Sequence, residues 1–98
     1  MNKLRKAAKG RECMVRIPYI CNRDPATTVL AHYRLAGCNG MGLKPDDALG
    51  AWCCSACHDA VDGRATDARW PMTRQELRLA HAEGVMRTFA ELRKKGLL

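Results

Sequence analysis

Apolar residues in the last third of the chain recur every three or four positions. Leu77, Ala80, His81, Gly84, Val85, Thr88 and Leu92 form one stripe of a helix that runs to about Lys95. Its start is marked by Thr73-Arg74-Gln75-Glu76, a capping box in which Thr73 caps the helix and Glu76 reaches back to the cap amide. Gly84 costs about 1 kcal/mol against alanine in a helix, and in return lets another element approach closely. His81 lies on the packing stripe and reads as a core or boundary histidine. Lys94 and Lys95 suit the C-terminal end of the helix dipole.

Upstream the patterns are shorter. Thr27-Thr28-Val29-Leu30-Ala31-His32-Tyr33-Arg34 is rich in β-branched and apolar residues and predicts a strand with His32 near its end. Met14 to Ile17, before Pro18, predicts a short strand running into a turn, and Asn22-Arg23-Asp24-Pro25 a further turn. Residues 36–50 hold four glycines and a proline; a loop of that length in a compact domain is commonly functional or mobile. After it, Ala51-Trp52 predicts a turn or short strand, and a helix begins at about Cys54 and stops at Gly63. Residues 64–72 are irregular.

With 98 residues and five aromatic side chains, the chain makes one domain whose core alone is marginally stabilising. A cross-link would offset that. The six cysteines could form disulfides, but a basic N-terminus without an apolar run after it predicts no signal peptide, and no segment reaches transmembrane length. A cytoplasmic chain keeps its thiols reduced, which favours zinc. Cys54 and Cys57 have the Cys-x-x-Cys spacing of a zinc half-site, and Cys13 with Cys21 completes a four-thiolate set. Cys53 competes with Cys54 but lacks the two-residue spacing to Cys57, and Cys38 is spare. His58 and Asp62, four apart, share one face of the short helix and could hold a second, hard metal ion.

The charge balance, 17 basic against 10 acidic residues and formally +7, favours a polyanionic partner such as nucleic acid. Much of the excess lies in residues 1–12, where Lys3, Arg5, Lys6, Lys9 and Arg11 read as a mobile or weakly helical basic arm for backbone phosphates. Three parts follow: the arm (1–12), a zinc-bound core (13–63) and a C-terminal helix (73–95).

A strand ending in histidine, a loop, and a helix carrying histidine together resemble a known arrangement. Cys13…Cys21…Ala31-His32…Cys54-x-x-Cys57-His58 is similar to the HNH, or His-Me finger, endonucleases. Arg11-Glu12-Cys13, Leu30-Ala31-His32-Tyr33-Arg34 and Ala56-Cys57-His58-Asp59 most resemble the small prophage-encoded YbcO-type nucleases. The resemblance covers almost the whole chain. It implies an α+β fold, a small zinc-stabilised ββα-metal domain with a long C-terminal helix. It also implies metal-dependent hydrolysis of DNA phosphodiester bonds, in phage recombination or DNA processing. His32 would be the general base, a role that imidazole suits because it titrates near neutrality. His58 would hold a catalytic Mg²⁺, Mn²⁺ or similar ion, with Asp62 the chosen carboxylate ligand, and Arg34 would contact phosphate. Cys13, Cys21, Cys54 and Cys57 would hold structural zinc. Where many such enzymes have an acid or histidine before the base, this chain has Ala31; Asp46 and Asp47 are the nearest polar residues before the cysteine pair.

Two other functions compete. A non-catalytic zinc module would bind nucleic acid through the basic arm without cutting it. A protein-binding adaptor would dock through the C-terminal helix. Oligomeric state is left open.

Overall fold

The computed structural model describes residues 3–35, 47–63 and 72–98. Within them the order is helix α1 (Lys3–Ala8), strand β1 (Val29–His32), strand β2 (Gly50–Cys53), helix α2 (Ser55–Val61) and helix α3 (Arg74–Lys94), with single 3₁₀ turns at Pro25–Thr27 and Asp47–Leu49. Cys38, Asp46 and most of the glycine-rich loop and of the irregular segment before Thr73 lie outside the described residues.

The long helix forms as its cap predicts. Thr73 Oγ1 accepts from the Glu76 amide at 3.1 Å, and Glu76 Oε1 accepts from the Thr73 amide at 2.9 Å. His81, Gly84, Thr88 and Leu92 are buried on the inner face, which packs chiefly on β2. Leu79, Met86 and Phe89 are exposed, the surface an adaptor would use.

The sheet is one antiparallel pair in which Leu30 faces Trp52 and His32 faces Gly50. Trp52 is almost fully buried, and its backbone groups on the outer edge of β2 find other partners. Its amide donates to Thr88 Oγ1 at 2.9 Å, and its carbonyl accepts from the Met14 amide at 2.7 Å. A threonine at a buried helix position is thereby satisfied. One face of the pair joins Leu4, Ala8, Met14 and Leu92 around Trp52 and Leu30. The other gathers Val15, Ile17, Ala31 and Ala51 with the cysteines.

Gly84 is where α3 meets the 14–15 backbone. A Cβ there would lie 2.8 Å from Val15 Cγ2 and 3.0 Å from Val15 Cα. Backbone cannot swing aside as a flexible side chain can. Gly84→Ala is therefore expected to lower stability by about 1–3 kcal/mol from overpacking, despite alanine's better helix propensity. Chemical denaturation of the two proteins measures it.

Two expectations change. Residues 14–17 are not a strand: only the Met14 amide reaches β2, and Arg16 and Tyr19 have left-handed φ values of 54° and 66°. The chain instead folds back, with the Ile20 and Cys21 amides both donating to the Ile17 carbonyl. The basic arm, read as mobile or weakly helical, takes the helical form between Lys3 and Ala8. It is a helix anchored by buried Leu4 and Ala8. The predicted strand is shorter at both ends than residues 27–34, because Pro25–Thr27 turns under an Asp24 cap.

Candidate metal centre and active site

Cys13 and Cys21 are brought together by the fold-back of residues 13–21, and Cys54 and Cys57 by the first turn of α2. Cys54 caps that helix, its sulfur accepting from the Cys57 amide at 3.3 Å. The four sulfurs lie within 4.8 Å of one another, and Cys54 and Cys21 are 3.8 Å apart. A tetrahedron with Zn–S bonds of about 2.3 Å has sulfur–sulfur edges of about 3.8 Å, so the donor set fits zinc. Among the described residues it is the one group of three or more potential ligands this close.

The electrostatics agree. Hydrogen bonds from Cys53 and Cys57 hold the Cys13 thiol down, while the bond to Cys13 pushes Cys57 up and burial raises Cys21. One thiolate is easy to form in this cluster and further ones are costly, which is the imbalance a divalent cation removes. Cys53 is fully buried in β2 beside them but outside the four-sulfur group.

His32, at the end of β1, meets a carboxylate from the other side of the loop. Its Nε2 is 2.5 Å from Asp47 Oδ1, and the same oxygen accepts from Arg5 Nε at 3.2 Å. Asp47 is buried, and the hydrogen bond from His32 and the Arg5 guanidinium hold its carboxyl below the usual range. Arg5, assigned by its sequence to a phosphate-binding arm, is thus tied to this pair. On α2, His58 Nε2 and Asp62 Oδ2 are 3.1 Å apart. Neighbouring ligands at about 2.1 Å in an octahedral site are separated by about 3.0 Å, so the two could occupy adjacent positions on a hard divalent ion.

A cleft of about 220 Å³ opens between these elements, lined by His32, Arg34, Asp62, Arg74, Arg78 and His81 among others. A larger cleft of about 490 Å³ lies over Cys13 and Cys21. Its lining has no histidine; His32 and His81 are on the smaller one.

His81 links α3 to β1. Its Nε2 donates to the Ala31 carbonyl at 2.9 Å, and its ring lies 5.0 Å from that of Tyr33. The bond fixes the backbone next to His32. Burial lowers the His81 pKa, so the unfolded chain takes up a proton first as the pH drops. The stability from neutral His81 is complete above about 6.5 and is lost as the pH falls through the folded value. His81→Leu is expected to cost about 1 kcal/mol at neutral pH, by removing one hydrogen bond to the Ala31 carbonyl, which also faces Ala51 in the ladder. It should also flatten the fall in stability between neutral and mildly acid pH, as denaturant melts at a series of pH values would show.

The other basic residues have separate settings. Lys3, Lys6 and Lys9 are exposed, while Arg11 donates to the Ala7 carbonyl and lies over the Trp52 ring. Arg74 and Arg78 were not marked by any spacing rule as site residues. Their one signal is a pair of arginines four apart in the first turns of a capped helix.

The family model described as "Putative nuclease YbcO" matches residues 2–97. The chain belongs to this family. It is 59% identical over 64 residues to "Putative nuclease YbcO" of Escherichia coli (strain K12) and, by the same figures, to "Putative nuclease ybcO" of Enterobacteria phage 82. Each match covers 65% of this chain and 67% of the relative. A solved structure, "Structure of a putative bacteriophage protein from Escherichia coli str. K-12 substr. MG1655", superposes with a TM-score of 0.79 at 40% identity, covering 96% of this chain and all of the other. Membership in the YbcO family agrees with the YbcO-type resemblance read from Arg11-Glu12-Cys13, Leu30-Ala31-His32-Tyr33-Arg34 and Ala56-Cys57-His58-Asp59.

Proposed function

We propose that this YbcO-family protein is a metal-dependent endonuclease of the HNH, or His-Me finger, type, with the ββα-metal core formed by β1, β2 and α2. The nuclease descriptions of its relatives support hydrolysis of nucleic acid, and DNA is the substrate to test first. The observation that carries the reading is His32 on a cleft shared with Asp62, with ionised Asp47 bonded behind it.

The chemistry follows from that hydrogen bond. An ionised carboxylate only accepts, so His32 donates from Nε2 and its Nδ1 keeps a lone pair. Nδ1 is the atom that takes the proton from an attacking water. Asp47 then faces an imidazolium and stabilises it, while Arg5 keeps the carboxylate oriented. His58 and Asp62 would hold the catalytic divalent ion, their remaining neighbours being water and substrate oxygens. When bound, that ion supplies charge stabilisation at the scissile phosphate and the leaving oxygen. Cys13, Cys21, Cys54 and Cys57 would hold a structural zinc that fixes α2, and so His58, against the sheet.

The test is nicking of supercoiled plasmid DNA by purified protein with added Mg²⁺ or Mn²⁺. Conversion to open circles that needs the added ion supports the endonuclease. Salt-sensitive binding without cleavage, on duplex, single-stranded and branched DNA and on RNA, would turn the reading to a non-catalytic zinc module.

A further inference from the structure

Three arginines from two distant parts of the chain line the cleft that holds His32. Arg34 follows β1, and Arg74 and Arg78 lie on the first two turns of α3. Among the described residues the lining has one acid, Asp62, and that carboxylate is bonded to His58. Arg74 and Arg78 are four apart, where like charges destabilise a helix slightly. Gathering three guanidinium groups around one concavity is unfavourable until an anion enters it.

Arg78 is also held in place. Its guanidinium lies over the Tyr33 ring, 4.8 Å from the centroid, and Nη2 donates to the Arg34 carbonyl at 3.5 Å. The fork keeps further donors free for a planar or tetrahedral oxyanion. The cleft's 220 Å³ is below the range of about 300–1,000 Å³ for sites that enclose a small molecule. It suits a phosphate with its sugar edge, the bases staying outside.

We propose that Arg34, Arg74 and Arg78 form a backbone-phosphate subsite that seats the nucleic-acid strand against His32. The inference rests on the endonuclease reading and assigns α3, not only the N-terminal basic residues, to substrate. Because phosphates carry no base identity, the subsite sets the register of the strand without choosing its sequence.

The experiment measures binding of a fluorescent duplex DNA by anisotropy, without added divalent ion, across about 50–200 mM salt. Wild type is compared with the double variant Arg74→Gln/Arg78→Gln. A second double variant, Lys94→Gln/Lys95→Gln, removes the same charge at the far end of α3, where both lysines pair with Glu91. Zinc content and helicity are checked for each. The slope of log affinity against log salt is expected to fall by about 0.9 for each arginine removed, and affinity near 0.1 M salt by tens of fold. The lysine variant should stay close to wild type. Equal slopes in the two double variants would overturn the subsite, and plasmid nicking by wild type would in that case leave the nuclease reading standing. A wild type that neither nicks nor binds would remove both.

Discussion

Cys57→Ala is expected to unfold the protein rather than trim its stability. Cys57 is fully buried on α2 and belongs to a four-sulfur group that ties α2 to residues 13–21. Binding of a structural zinc contributes about 10–16 kcal/mol in small domains, while a whole domain is commonly stable by about 5–15 kcal/mol. Losing the metal therefore exceeds the margin that Trp52, Leu30 and Leu92 provide. Bound zinc should drop from one per chain to none, far-UV dichroism should lose its helical signal, and a chelator should do the same to wild type. Cys53→Ala is the contrast: it removes a buried sulfur outside the ligand group and should keep the zinc. If Cys57→Ala stayed folded with zinc bound, Cys53 would be the evident substitute ligand, and the four-cysteine assignment would fall.

Local rules made much of this architecture legible. Thr73 and Glu76 mark the start of α3 because a capping box involves only four neighbouring residues. The inner face of that helix follows from spacing alone, and Cys-x-x-Cys specifies half of the four-sulfur group because the first turn of a helix brings the two sulfurs together. What escaped depends on partners far apart in the chain. Lys3 to Ala8 reads as a mobile or weakly helical arm, and its anchoring shows only when Leu4 and Ala8 find Trp52 and Leu92. Met14 to Ile17 has the composition of a strand, but the sulfur group requires the chain to turn back at Arg16 and Tyr19. Asp47 was a candidate only as a polar residue near the cysteine pair. Its bond to His32 spans fifteen positions and the glycine-rich loop, which no periodicity encodes.

His32→Ala is expected to lower plasmid nicking by about 10²–10⁴-fold, the usual contribution of a general base, while DNA binding and zinc content stay near wild type. His32 is part-buried at the end of β1, and its loss leaves Asp47 still paired with Arg5. The variants of Asp47 separate its role from that of the base. Asp47→Asn keeps an acceptor for the Nε2 proton but not the charge that stabilises the imidazolium, so kcat should fall with little change in KM. Asp47→Leu loses both acceptor and charge and leaves Arg5 without its partner, so its loss should be larger. The predicted order of activity is wild type, then Asp47→Asn, then Asp47→Leu, with His32→Ala lowest. The order carries the information, because a contaminating nuclease would show no dependence on any of these residues. If Asp47→Asn were as active as wild type while His32→Ala was inactive, the Asp47 charge would not stabilise the imidazolium, and accepting the Nε2 proton at 2.5 Å would be the whole of its role.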